Sequence, residues 1–177
     1  MVRLKQRYIL FDILHFPSLE RPNQRDDFLN FSTSETNAIL SLHQSSPNTI
    51  NPKLLTKLIR SVIQEHFGDN GAGKAGMQMT IKYFSNTTST GIIRCSRSSF
   101  HIVRAALSLI NMIENDEIMV RCLHVSGTIK KCEERCISRN EKLMSLLSKS
   151  DYADASLLER FSEIQVLRSL GDTEYDS

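Results

Sequence analysis

Tryptophan is absent from the 177 residues, aromatic side chains make up 7%, and glycine and proline number only 7 and 4. This excludes collagen-like and Pro/Gly low-complexity chains. No window of about 18 apolar residues exists to form a membrane span; the greasiest stretch, Ala105 to Ile113, is nine residues long and contains Ser108 and Asn111. The opening superficially mimics a signal peptide, with Arg3, Lys5 and Arg7 before an apolar run from Ile9 to Phe16. Asp12 and His15 interrupt that run and no small-x-small cleavage site follows, so a strand is expected instead. The four cysteines (Cys95, Cys122, Cys132, Cys136) then fit buried thiols in a reducing compartment, cytoplasm or nucleus. Recognisable catalytic patterns are missing as well. His15, His43, His66, His101 and His124 have no Cys or carboxylate at a recurring spacing, and no G-x-S-x-G occurs. Gly71-Ala72-Gly73-Lys74 lacks the spacing, the trailing Ser/Thr and the preceding strand of a P-loop.

What remains is the composition of one soluble globular domain with an irregular extension: 40% hydrophobic and 24% charged residues, in a length of little more than one domain at roughly 150 residues each. The net charge of +2 conceals a split. Residues 1–149 carry 20 Lys/Arg against 13 Asp/Glu, or +7, and residues 150–177 carry 2 against 7, or −5. A basic body attracts polyanions and an acidic tail limits indiscriminate binding, although +7 over this length is also compatible with solvated helix faces.

Tyr8 to Leu14 is β-branched, aromatic and apolar on both pleat faces, as for a central strand covered on two sides. Residues 17–51 read as a long loop insertion with a weak helical pattern near Glu35 to His43 and little chemistry. Asn51-Pro52 starts a helix whose stripe Leu54, Leu55, Leu58, Ile59, Val62, Ile63, Phe67 ends at Gly68. Residues 68–74 read as a flexible connector. Met77, Met79, Ile81 and Tyr83 alternate as a half-buried strand, Ser85 to Ser89 turns, and Thr90 to Arg97 returns as a hairpin. Ser98 or Ser99 caps a helix with stripe Phe100, Val103, Leu107, Ile110, Ile113, and Ile118 to Val125 is a fourth strand. The order β-α-β-β-α-β is the split βαβ arrangement of an α+β fold: a four-stranded antiparallel sheet with two helices on one face. The amphipathic segments Ile129 to Leu147 and Ala155 to Leu170 are C-terminal helices able to cover the other face. The domain then spans 1–149, with 150–177 an acidic C-terminal helix and tail.

Such a topology suggests an RNA recognition motif, but Gly91-Ile92-Ile93-Arg94-Cys95 offers no aromatic for base stacking, so RNA contact is expected through phosphates and shape. Three cationic clusters suit that task. Val125-Ser126-Gly127-Thr128-Ile129-Lys130-Lys131 joins a strand end, a glycine turn and a helix opening, where unpaired amides of Thr128, Ile129 and Lys130 attract a phosphate; the same residues also describe an ordinary Ser/Thr cap. Arg135 lies one turn beyond Lys131. Arg3, Lys5 and Arg7 alternate on one face of an extended segment, or are a solvated arm. Lys82, Arg94 and Arg97 flank the hairpin, whose Ser/Thr/Asn turn could donate neutral hydrogen bonds to a backbone. Cys132 and Cys136 stand one turn apart and could ligate zinc with Cys95, Cys122 or His124, but buried thiols fit better.

The opening Val2-Arg3-Leu4-Lys5-Gln6-Arg7-Tyr8-Ile9-Leu10-Phe11, the hairpin from Lys82 through Tyr83-Phe84-Ser85-Asn86-Thr87-Thr88-Ser89-Thr90-Gly91-Ile92-Ile93-Arg94 to Cys95, and Val125 to Lys131 together resemble the small α/β protein subunit shared by ribonuclease P and ribonuclease MRP, fungal members above all. The resemblance covers residues 1–16 and about 52–149. It implies an accessory subunit without catalytic residues of its own, in a nuclear and nucleolar ribonucleoprotein whose RNA removes the 5′ leader of precursor tRNA or cuts precursor rRNA. It also implies that the RNA rather than the protein holds Mg²⁺, that no cofactor or metal belongs to the chain, that no membrane is involved, and that the partners are the catalytic RNA, nearby substrate and a β/α-barrel-like protein subunit. Two other readings share this fold: a protein-only adaptor with incidental cations, and a metal-independent phosphohydrolase similar to acylphosphatases with an arginine cradle by the first strand.

Overall fold

A computed structural model describes residues 5–16 and 35–147. Arg3, the tail 150–177 and the expected helix Ala155 to Leu170 lie outside the described residues. The elements are β1 (Gln6–His15), α1 (Glu35–Leu42), α2 (Pro52–Gly71) running into a π-helical turn (Ala72–Gly76), β2 (Thr80–Ser85), β3 (Thr90–Ser96), α3 (Phe100–Leu109), β4 (Met112–Ile113), β5 (Asp116–Ser126) and α4 (Ile129–Leu147). They form an α+β sandwich on an antiparallel sheet of order β2-β3-β1-β5-β4.

β1 is central because its sequence can be buried twice. Ile9, Phe11 and Ile13 face α2 and α3 and pack with Leu55, Ile59, Ile63, Val103 and Leu107. Leu10 faces the other way and packs with Ile92 and with Cys132 and Cys136 of α4. β3 and β5 flank it, so neither of its hydrogen-bonding edges is open. α2 starts as its sequence dictates: the Asn51 side chain accepts from the Leu54 amide at 2.9 Å, and Pro52 occupies the first turn.

Several expectations need correction. The stretch 68–74 is no flexible connector. Gly68 kinks the helix at φ 61°, after which the chain resumes helical form through Gly71 and the π turn. Ala75 is fully buried there, and the Gly76 carbonyl accepts from Arg60 Nε at 2.9 Å, so packing holds what local propensity leaves free. The second strand begins at Thr80, leaving Met77 83% exposed. A bulge between Ile81 and Tyr83 then moves Tyr83 to the second face, against Leu10 and Ile92, and breaks the expected alternation. A two-residue strand, β4, makes the sheet five-stranded, its turn closed by Glu114 at φ 55°. Ser99 occupies the α3 cap position, but its hydroxyl makes no cap bond; only its carbonyl accepts, from Ile102 and Val103.

The hairpin turn faces inward. Asn86 Nδ2 donates to the carbonyls of Pro47 and Ile50, both at 2.7 Å. Ser46 Oγ donates to Ser89 Oγ at 2.8 Å, and Ser89 Oγ donates to the Gln44 carbonyl at 2.7 Å. These groups secure residues 44–50 and are not available to an RNA backbone. The segment following α1 is therefore integrated into the fold.

Gly91 makes the β1–β3 contact possible. A Cβ there would stand 2.5 Å from Phe11 Cζ and 2.6 Å from its Cε1, with Phe84 Cδ2 at 3.1 Å. Phe11 and Phe84 are stacked, with centroids 6.4 Å apart. Gly91→Ala is expected to destabilise the protein by about 1–3 kcal/mol through overpacking. Urea denaturation reads this as a lower midpoint, and an unchanged midpoint would refute the packing argument.

Candidate nucleic-acid interface

α4 positions the cationic end, and two attachments fix α4. Near its start Cys132 Sγ donates to the Tyr8 carbonyl at 3.6 Å. Two turns on, Arg139 Nη2 donates to Asp12 Oδ2. The Asp12 carboxylate is fully buried in mid-strand and also accepts from Arg121 of β5, through Nη2 at 2.8 Å and Nε at 3.2 Å. His43, just beyond α1, bonds the Ile39 carbonyl through Nδ1 and places Nε2 3.6 Å from Asp12 Oδ2. One carboxylate thus ties β1, β5, α4 and the α1 segment together. Burial alone would raise the Asp12 pKa, but the hydrogen bonds from His43 and Arg121 and the charges of Arg139 and Arg121 outweigh it, and the net shift is downward. Burial draws Arg139 down, against the pull of Asp12.

With α4 held there, its first turn abuts the start of β1. Tyr8 pairs with Ser126 on one side and Arg94 on the other, and Arg94 pairs with Thr80. Thr80, Arg94, Tyr8 and Ser126 therefore form one row across four strands, about 14 Å long at ~4.8 Å per strand. Arg97 donates its amide to the Lys5 carbonyl at 3.0 Å, bringing those two exposed side chains to the same end. Arg7 Nη1 lies only 3.4 Å from where a Gly127 Cβ would stand, and it donates to the Gln6 carbonyl at 3.1 Å. That guanidinium therefore lies beside the Gly127 turn.

The structure thus gathers Lys5, Arg7, Arg94, Arg97, Ser126, Gly127, Thr128, Lys130 and Lys131 at one end. Ser126 is buried and its Oγ accepts from the Thr128 amide at 3.2 Å. This corrects the expectation of an unpaired Thr128 amide; Ile129 and Lys130 keep first-turn amides that a helix cannot satisfy internally. Lys131 and Arg135, both exposed, share one face of α4 at i, i+4, while Lys130 stands a turn from Glu134. Lys82 is exposed at the β2 bulge, two strands from β1. Among the described residues every ion pair involves Asp12, so these cations have no carboxylate within 4.0 Å.

Sequence reasoning missed the Asp12 cluster, although an acid inside an apolar strand signals a buried charge in need of partners. Lys53, Lys57 and Arg60 on α2 were not singled out either, since only the apolar stripe of that helix was read. The cysteines are divided by the sheet: Cys95 sits in the core under α2 and α3, while Cys132 and Cys136 lie on the inner face of α4 against the other side of the sheet. Burial pushes the Cys95 and Cys132 thiols up to about 11. Among the described residues no group of three or more His, Cys, Asp or Glu could hold a metal ion, and no helix is long and apolar enough to cross a membrane.

These features define a class: a split βαβ sandwich whose second sheet face is closed by a helix, with cations gathered where that helix begins. The chain belongs to the Rpp14/Pop5 family, whose model matches residues 7–137. It is 39% identical over 157 residues to the ribonuclease P/MRP protein subunit POP5 of Saccharomyces cerevisiae, covering 88% of this chain and 87% of that one. It is 38% identical over 151 residues to the POP5 subunit of Schizosaccharomyces pombe, covering 85% and 96%. A chain in the cryo-EM structure of yeast ribonuclease MRP aligns at TM-score 0.46 with 11% identity, covering 97% of this chain and 95% of that one.

Asp12→Ala is expected to cost about 3–5 kcal/mol at pH 7, since it strands the largely buried Arg139 charge. A carboxyl whose folded pKa is depressed contributes fully above its ordinary value, 3.8, and loses that contribution as pH falls through the lower folded value. The stability gap between wild type and variant should therefore be wide at pH 7 and narrow only below pH 3.8. Denaturant midpoints across that range measure it, and a gap closing near neutrality would refute the carboxylate's role.

Proposed function

We propose that this chain is a protein subunit of ribonuclease P and ribonuclease MRP that grips the catalytic RNA through its cationic end and keeps RNA strands together against their mutual repulsion. The observation carrying this reading is the convergence of Lys5, Arg7, Arg94 and Arg97 with the first turn of α4, without a paired carboxylate among the described residues. Backbone cations of this kind position RNA without reading its sequence, and their contribution falls as salt rises. Membership of a family whose curated relatives bear the name of ribonuclease P/MRP subunits supports the same particle.

In this reading the chain contributes charge and geometry, and bond cleavage in precursor tRNA or precursor rRNA belongs to the RNA with its Mg²⁺. A β/α-barrel-like protein subunit is the expected protein partner, and the nucleus, including the nucleolus, is the expected location.

Lys130→Glu combined with Lys131→Glu tests the assignment. Both side chains are exposed, and acids in a first helical turn favour the helix, so the fold should hold. Precursor-tRNA processing by the reconstituted particle should fall, and the salt slope of RNA binding should drop by roughly one unit per lost phosphate contact. Normal processing by the double variant would overturn the assignment. Cleavage of a tRNA precursor by the isolated polypeptide would overturn the division of labour, and RNA-free recovery of the chain from cell extract would favour a protein-only adaptor.

A further inference from the structure

The cationic end does not account for all of the unpaired positive charge. Between α2 and β2 lies an open trough made of two adjoining depressions of about 640 and 480 Å³ that share Lys57 and Arg60. Lys53, Lys57 and Arg60 follow one another along a single helix stripe at i, i+4 and i+7. None has a carboxylate within 4.0 Å among the described residues, and no Asp or Glu lines either depression. Arg60 is held in place, since its Nε donates to the Gly76 carbonyl at 2.9 Å and leaves the two terminal amino groups for an outside acceptor. The π turn Ala72–Gly76 that supplies this carbonyl also forms one wall of the trough.

The trough is positive along its helical wall and apolar at its base. Met79 and Ile81 line the base, and Met77, 83% exposed, stands at the rim. A thioether placed in water in the depression that holds Lys57 and Arg60 suits the faces of riboses or bases whose phosphates lie on those cations. The lining contains no aromatic side chain, so binding of this kind tracks a backbone and tolerates any sequence. Thr80 lines the trough and also begins the row Thr80, Arg94, Tyr8, Ser126. The trough therefore opens at the edge strand β2 onto the end of the sheet where α4 begins.

We infer that the α2–β2 trough is a second RNA-backbone site, in which a single RNA strand lies along Lys53, Lys57 and Arg60 and passes around the β2 edge toward Arg94 and the α4 N-terminus. This inference rests on the RNA-binding reading above and extends it to a face of the protein opposite α4. One strand would then be held on both sides of the sheet.

The test uses the full chain and a single-stranded RNA of about 20 nucleotides, long enough to span more than one site of this type. Lys53→Gln with Lys57→Gln removes two exposed charges that make no packing or hydrogen-bond contribution to the core. Affinity near physiological salt is expected to fall roughly tenfold, and the slope of log affinity against log salt to shrink by about 1.4, or ~0.7 for each contact to a single strand. A photoreactive group attached at Met77→Cys should crosslink to the RNA. An unchanged slope with no RNA crosslink from position 77, while Lys130→Glu with Lys131→Glu still weakens binding, would overturn the trough and leave the reading of the α4 end intact. A crosslink from position 77 to the acidic tail or to another protein would likewise overturn it. Failure of the wild-type chain to bind the RNA at all would overturn both.

Discussion

The buried carboxylate of Asp12 is the constraint on which the arrangement depends. A charge in the middle of the central strand is tolerable only where guanidinium groups reach it, and Arg121 and Arg139 arrive from two different elements. Replacing the cluster with apolar groups of equal volume could build as stable a core, so its specific contribution is alignment. It admits one register of α4 along β1, because a shift of a single residue would carry Arg139 around the helix and away from the carboxylate. It works together with the β1–β5 pairing, which sets Ser126 opposite Tyr8 and Gly127 beside Arg7, to fix the direction of the α4 first turn. Stability in the interior and charge on the surface thus share one contact.

Closure of the second sheet face has a chemical consequence. In a split βαβ protein with an open sheet, bases can stack on exposed central strands. Here Tyr8 and Tyr83 lie partly buried beneath Ile129, Cys132 and Cys136. The surface left to a polynucleotide consists of strand ends, a helix start and an edge, all of which offer cations and amides. A polynucleotide meeting such a surface would be followed by the path of its phosphates and not by its bases.

Much of this was legible in the chain, for physical reasons that differ by element. α4 occupies Ile129–Leu147, the residues expected, because a glycine turn and a regular apolar stripe marked it. Asn51-Pro52 announced α2 equally well. β2 was displaced because a bulge leaves no trace in hydropathy, and alternation across Met77 to Tyr83 mixed exposed, buried and opposite-face residues. The stretch 68–74 misled because glycine propensity is local, whereas the burial of Ala75 is tertiary. The cationic end was legible in outline, since Arg7, Arg94 and Lys131 stood out in the chain. Its anchor was not: Asp12 lies 109 and 127 residues from its two arginines, and no local pattern couples positions so far apart. The trough escaped notice for a similar reason, as its lysines acquire meaning only when β2 and the π turn fold beside them.

The double burial of β1 also sets a schedule. Its partners on one face are α2 and α3, but the other face waits for Cys132 and Arg139, the latter 127 residues downstream of the aspartate it joins. During synthesis Asp12 therefore leaves the ribosome 127 residues before the arginine that pairs with it. Contacts of such long sequence separation close slowly. Until then Leu10, and Ile92 once β3 has been made, lack the cover that α4 gives them, so the newborn chain is most exposed to sticking and degradation just before its final described helix comes home.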